Sequence, residues 1–381
     1  MQSTSFVILF GIGVSALLAL AIIWLGYPLV VRMLGGMRPR RVHVPAKLLP
    51  SVSVILASCD DADAIRARVA DLLQTEHPAE RVEVIVTLDA ARAEASHEDL
   101  AGLDGRVRVV EGDSPGGKSA TLNAGVRAAR NEILVFADTA QRFHRDAIPA
   151  LVVELDEPRL GAVSGMLELP GGAKGALNLA ERYWRYERWL RLWEARLHSS
   201  VGVTGAIYAM RRELWEPLPA NLILDDVYVP MRLALTGWRV GFTDRARARD
   251  VRRFAPAQEY RRKVRTLTGV IQVCAWLPGV LNPIRNPIWL QFVFHKLLRL
   301  LTPYLAALAV LGLAWAGASA LLSSRLGTQL LLAVAVLGAV LCLIPRVRRT
   351  LTGQIAWGVA LQSSIVVATV NGVRGRWDVW R

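Results

Sequence analysis

Within GDSPGGKSATLNAG, residues 112–125, the residues Gly112, Gly117, Lys118 and Ser119 satisfy G-x-x-x-x-G-K-[ST]. In that spelling the glycines let backbone close around phosphate oxygens and the lysine neutralises them. Acids stand at intervals along the same part of the chain: Asp60 and Asp61 after one β-rich run, Asp89 after the next, and Asp138 after a later one. Carboxylates, one lysine and a glycine turn are the groups expected around a phosphate-bearing ligand with a divalent ion. Aspartate is also a common helix cap and turn residue, and Asp60 taken alone reads equally well that way.

The elements that must position these groups alternate in period. VSVILAS (52–58), VEVIVTL (82–88), VRVV (107–110), EILVFA (132–137) and GAVSGM (161–166) are short β-rich runs, separated by helical patterns such as DAIRARVADLLQT and KSATLNAGVRAAR. This β-α-β-α order predicts a mostly parallel sheet with helices on both faces. Ligands of such sheets bind outside the carboxyl ends of the strands. Asp60, Asp61, Asp89, the loop 112–118 and Asp138 all fall at those ends, so the fold gathers them on one rim.

The local context of Lys118 suits an ATPase loop in part, because ILVFAD imitates the strand-ending aspartate that helps to hold magnesium. Against that reading, a complete β-α-β-α unit precedes the loop, and only one helix separates Lys118 from Asp138. No arginine finger or water-positioning residue stands out downstream. A membrane-anchored P-loop NTPase is the first alternative, and a catalytically inactive nucleotide-binding scaffold the second.

The wider string decides differently. GKSATLNAG followed by EILVFAD resembles the G-K-x-x-x-L-N-x-G and strand-plus-D-x-D segments of family 2 glycosyltransferases, the membrane-bound group of cellulose, chitin and hyaluronan synthases and ceramide glucosyltransferase. The resemblance covers about residues 51–270. ASCDD matches the end of the first strand, TLDAA the aspartate that contacts the uracil ring, and GVTGAIYAMRREL the segment beneath the acceptor. LDDVYVPMRLALTGWRVGF resembles the E-D segment whose second acid is the catalytic base. It implies a GT-A (Rossmann-like) α/β domain, a UDP-sugar donor, a divalent metal (Mg2+ or Mn2+), a polysaccharide or lipid acceptor and inversion at the anomeric carbon. On the nucleotide side it places Asp60, Asp61, Asp89, Gly117, Lys118, Asn123 and Asp138, with Asp138 the metal ligand.

Two departures from the pattern matter. Asp138-Thr139-Ala140 lacks the second acid of D-x-D, which leaves an ion to Asp138, the diphosphate and water. Where processive members write Q-x-x-R-W, this chain has Arg262-Lys263-Val264-Arg265-Thr266; the arginine stays, the tryptophan does not, and Trp276 is the nearby aromatic that could replace it.

In that frame Asp226 takes the proton of the acceptor hydroxyl, with Asp225 as its neighbour on the helix start. Arg265 and Arg262 offer planar, permanently charged donors to the leaving diphosphate. The same arginines would equally serve attraction to anionic headgroups, and the acid pair could equally cap its helix.

The bulk properties frame the site. The chain has 381 residues, 53% of them hydrophobic, and a formal charge of +14 carried mainly by arginine, without the basic and aromatic face of a nucleic-acid binder. Anionic headgroups and an anionic substrate are the expected partners; oligomeric state leaves no trace in the sequence. Cys59, Cys274 and Cys342 are scattered, with no metal or disulfide spacing, so the soluble part is expected in a reducing compartment.

Residues 6–31 are an uncharged run longer than the roughly 20 residues that cross a bilayer. Arg32, Arg38, Arg40, Arg41 and Lys47 follow it, which puts the middle of the chain in the cytoplasm of a bacterial-type inner membrane. Apolar stretches near 302–321, 327–344 and 354–372 extend this to a multi-pass protein, although Arg374, Arg376 and Arg381 sit on the wrong side for the last. Segments 175–197 and 288–301 read as amphipathic interfacial helices. The expected division is 1–33 anchor, 48–258 catalytic domain, 259–301 interfacial helices carrying R-x-x-R, and 302–381 C-terminal membrane helices. His198 and His295 show no partner spacing.

Overall fold

The structure, a computed structural model, describes residues 2–38, 49–168, 176–252 and 256–377. It opens on an apolar rod: α1 (Gln2–Ala21), a π-helical turn (Ile22–Gly26) and α2 (Tyr27–Gly36). The α/β part then runs β1 (Val52–Ser58), α3 (Ala62–Leu72), β2 (Val82–Leu88), β3 (Val107–Glu111), α4 (Lys118–Ala128), β4 (Ile133–Ala137) and β5 (Gln141–Phe143). It continues with α5 (Ala147–Glu154), β6 (Leu160–Glu168), α6 (Ala176–Leu197), β7 (Ile207–Arg211), α7 (Asp225–Leu235), β8 (Arg239–Asp250) and α8 (Pro256–Trp276). The expected boundary between 258 and 259 therefore falls inside α8.

All eight strands join one sheet in the order β3-β2-β1-β4-β7-β6-β8-β5. β3, β2, β1 and β4 are mutually parallel, as the β-α alternation requires. β7 runs antiparallel to both β4 and β6, β8 is parallel to β6, and the short β5 closes the edge antiparallel to β8. The sheet is thus mixed, with the parallel pairings in the majority. β1 shows why its strands read as unbroken apolar runs: Val52, Val54 and Leu56 pack beneath α3 and α5, while Ile55 faces α4 and α7.

Beyond α8, α9 (Trp289–Phe292), a π-helical turn (Val293–Leu297), a 3-10 turn (Leu298–Leu301) and α10 (Thr302–Leu322) form one rod. α11 (Arg325–Leu343) and α12 (Pro345–Val373) follow. Phe6–Gly36 and Trp289–Leu322 are long and apolar enough to cross a membrane; among the described residues, α11 and α12 contribute shorter apolar runs at Arg325–Val334 and Gly358–Val373. α1 and α10 lie side by side because both are glycine at the crossing: a Cβ on Gly312 would come within 2.6 Å of the Leu9 carbonyl oxygen, and one on Gly13 within 2.9 Å of the Leu313 nitrogen. Val7, Leu18, Leu311 and Trp315 each leave more than half of their surface outward on this pair.

Candidate active site

The nucleating contact is Lys118 at the first turn of α4. Its Nζ lies 3.2 Å from Asp225 Oδ2 and 3.8 Å from Asp138 Oδ1, joining the start of α7 to the end of β4. Burial alone would lower the Lys118 ammonium, but Asp138, Asp225 and Asp226 together outweigh it and hold the lysine charged above its ordinary value. Burial and the adjacent Asp225 raise the Asp226 carboxyl above the ordinary aspartate range, and its buried Oδ1 has no hydrogen-bond partner. A carboxylate so placed is a stronger base than a solvated one. Arg265 arrives from α8: burial and Arg262 lower its guanidinium, and Asp226, Asp225 and Asp138 oppose them. Asp138, Asp225, Asp226, Lys118 and Arg265 thus share one cleft. Arg262 lies beside Arg265 and 6.0 Å above the Trp184 ring of α6.

The other expected residues hold backbone. Asp89 accepts from Ala91 N (2.9 Å) and Arg92 N (3.1 Å) through Oδ1, and from Gly117 N (2.8 Å) and Thr121 Oγ1 (3.4 Å) through Oδ2. It clamps the loop to β2. Gly116 tolerates nothing larger, since it adopts φ +90° and a Cβ would lie 2.7 Å from Ala91 Cβ. Because Gly117 N–H points at Asp89 and Gly116 N–H at the Asp113 carbonyl (2.8 Å), these two amides are turned away from a phosphate cradle. Asn123 pairs twice with the backbone of Leu218, Nδ2 to O at 2.9 Å and Oδ1 from N at 2.8 Å. Asp61 caps α3 through Ala64 N at 2.8 Å, whereas Asp60 stays half-buried at the rim, bonded to Ser58. Ser58 Oγ also accepts from Thr139 Oγ1 at 2.9 Å, tying the ends of β1 and β4 together. Trp276 packs edge-on against Trp377, ring centres 6.4 Å apart.

Three features escape the sequence reading. Arg68 of α3, fully buried and lowered by that burial to about 10, donates to the Asp138 carbonyl at 3.0 Å and pairs with Asp71; it fixes the backbone beneath Asp138. Tyr208 stacks on Phe136 at 4.3 Å and brings a buried hydroxyl beside the acids. The third is an ionic knot around His295. Its Nδ1 meets Glu194 Oε1 at 2.9 Å, its Nε2 meets Glu187 Oε2 at 2.9 Å, Tyr27 OH donates to Glu194 at 2.5 Å, and Arg299 pairs with Glu187. The signal was spacing: Glu187 and Glu194 are seven apart on one helix, and His295 and Arg299 four apart on another.

Asp138 faces Lys118 in the cleft, and among the described residues no group of three His, Cys, Asp or Glu side chains gathers as a metal cage. That donor set fits a hard divalent ion that arrives with a diphosphate, since such ions take one or two carboxylates and complete their shell with phosphate oxygens and water.

A sheet of this order, with acids at the ends of β1 and β4 and an acid pair opening α7, defines the GT-A class of nucleotide-sugar enzymes. Residues 50–269 match the Glycosyltransferase like family 2. The chain belongs to that family and is a glycosyltransferase. Among solved structures it is similar to the mannosyltransferase PcManGT from Pyrobaculum calidifontis in complex with GDP-Man and Mn2+, at 22% identity and a TM-score of 0.65 over 96% of this chain and 99% of that one. A mycobacterial protein aligns over 65% of this chain and 77% of its own at 18% identity and a TM-score of 0.41. A search of curated proteins finds no match.

Proposed function

We propose that the protein is an inverting glycosyltransferase that moves a sugar from a UDP-sugar to a polysaccharide or lipid acceptor at the cytoplasmic face of a bacterial-type inner membrane. The observation that carries this reading is the bridge of Lys118 to Asp138 and Asp225 with the raised Asp226 carboxyl beside it. Asp226 accepts the proton of the attacking hydroxyl. Arg265 and Arg262 take the growing charge on the diphosphate as it leaves, and Lys118 keeps the acid pair and Asp138 from repelling that group. Asp60 at the rim and the clamped loop 112–117 border the nucleotide. Asp138 would hold a Mg2+ or Mn2+ ion, which supplies Lewis-acid stabilisation of the diphosphate when bound. Two rods able to cross a membrane, and Arg32 and Arg38 at the inner end of the first, support the membrane placement.

The test is a panel of UDP-sugars and GDP-sugars given to membranes containing the protein, with released nucleotide and glycosylated product both measured. The GDP arm is included because PcManGT was solved with GDP-Man. Transfer from a UDP-sugar that stops in Asp226→Asn, with UDP binding kept, is the expected result. Transfer unaffected by Asp226→Asn would overturn the assignment of the base.

A further inference from the structure

Asp226 is surrounded by more positive charge than the leaving diphosphate requires. Lys118 and Arg265 act on the side of Asp138, and Arg262 lies next to Arg265. Two further cations act on the same carboxyl from other elements: Arg191 of α6, and Lys296 of the π-helical turn at 293–297. For Arg191 the route is short. Its Nη1 reaches Thr204 Oγ1 at 3.5 Å, and the residues flanking Thr204 touch Asp226 itself. Val203 N donates to the Asp226 carbonyl at 2.8 Å, and a Cβ on Gly205 would lie 3.6 Å from Asp226 Cβ.

The acids near this second pair are already committed. Glu187 is held by His295 and Arg299, and Glu194 by His295 and Tyr27. Among the described residues neither Arg191 nor Lys296 forms an ion pair, and Arg191 Nε is buried without a hydrogen-bond partner. Half-buried cations without ion-paired counter-ions are costly; the carboxylates that act on them, Glu187 and Glu194 on Lys296 and Asp226 on both, are shared with other groups, and a further anion would offset the remainder. The donor diphosphate does not supply it, because Lys118, Arg262 and Arg265 already serve that group.

Resting on the glycosyl-transfer reading, we propose that Arg191 and Lys296 form an acceptor subsite for an acidic lipid, whose headgroup phosphate lies against the two cations while its hydroxyl faces Asp226. A lipid is favoured over an acidic polysaccharide by where the pair is mounted. α6 is bonded to the first apolar rod through Tyr27 and Glu194, and Lys296 lies in the turn that continues into α10. The acceptor must carry a hydroxyl as well as the phosphate, since a phosphate oxygen acting as nucleophile would leave Asp226 without a proton to remove. The hydroxyl oxygen bonds to the anomeric carbon, the carbon–oxygen bond to the diphosphate breaks with its electron pair leaving on that oxygen, and the hydroxyl proton passes to Asp226.

The experiment uses full-length protein in detergent micelles with the donor identified from the nucleotide-sugar panel. Phosphatidylglycerol, neutral diacylglycerol and an acidic oligosaccharide are compared as acceptors. Sugar should pass to phosphatidylglycerol at least ten times faster than to diacylglycerol. Arg191→Met and Lys296→Met should each raise the apparent KM for phosphatidylglycerol about tenfold or more, with the donor KM and the diacylglycerol KM within twofold. Arg191→Lys should restore most of the loss, which separates an ionic role from a packing role. Equal use of the two lipids, transfer to the oligosaccharide alone, or a shift in donor KM in its place would each overturn the subsite. Absence of transfer from every nucleotide sugar to every acceptor would remove the underlying enzyme reading, and the subsite with it.

Discussion

Asp89→Asn separates two jobs that one carboxylate could do. In the structure its oxygens take four donors, and Oδ2 holds the Gly117 N–H at 2.8 Å. An asparagine can still accept from Ala91 and Arg92 with its oxygen, but its NH2 then faces the Gly117 N–H. The flipped amide is worse, because it opposes two amides. Losing one hydrogen bond to a charged group and orphaning its donor costs about 1.5–3 kcal/mol. If that energy keeps the 112–117 loop in place, binding must restore the order, and affinity falls about 10- to 150-fold. With the loop bordering the diphosphate as proposed, inorganic pyrophosphate and UDP should weaken together when each is titrated calorimetrically into wild type and variant. A role in reading the uracil ring would act differently: pyrophosphate binding would be unchanged and the preference for UDP over GDP would shrink. That second pattern would refute the clamp.

Other outcomes follow from the charge arrangement. In the proposed mechanism the rate depends on ionised Asp226, whose carboxyl is raised by burial and Asp225, so kcat/KM should fall as the pH drops through a value above the ordinary aspartate range; Lys118→Met removes the strongest opposing charge and should move this limb to higher pH. A carboxyl raised in the folded state contributes most below its unfolded value, and the contribution is lost as the pH rises through the folded value; Asp226→Asn escapes that loss and should melt higher than wild type at neutral pH, while transfer drops at least 1,000-fold. Arg299→Ala strands Glu187 beside His295, and thermal unfolding should show about 3–5 kcal/mol of destabilisation. Gly125→Ala forces a Cβ to 2.5 Å from Thr87 Oγ1 and 2.8 Å from Ile55 Cγ2, so a loss of about 1–3 kcal/mol in a denaturant titration is expected, with the donor KM little changed.

The parallel half of the sheet was legible because its strands are buried on both faces and bounded by turns: the runs at 52–58 and 82–88 coincide with β1 and β2. β8 was not, although RARARD alternates buried alanine with exposed arginine, because so much charge disguises a half-buried strand. β5 has three residues, too few for any periodicity. Within the cleft, residue type and order announced Lys118, Asp138, Asp226 and Arg265. They could not announce that Asn123 spends its amide on Leu218, or that Asp89 spends its carboxylate on its own neighbourhood, since those partners are backbone atoms that every residue carries. The His295 knot was hidden for another reason: each half looks like an ordinary helix surface until the two helices meet.

The face of α6 that carries Trp184, Glu187, Arg191 and Glu194 works as a ruler. Glu194 is fastened to the first apolar rod, and Trp184 lies under Arg262 ten positions earlier. Ten helical residues measure about 15 Å. The height at which the cleft rides above the rods is therefore written into a single rigid element, and adding or deleting one residue there would turn the face by about 100° and put the two fastenings out of step.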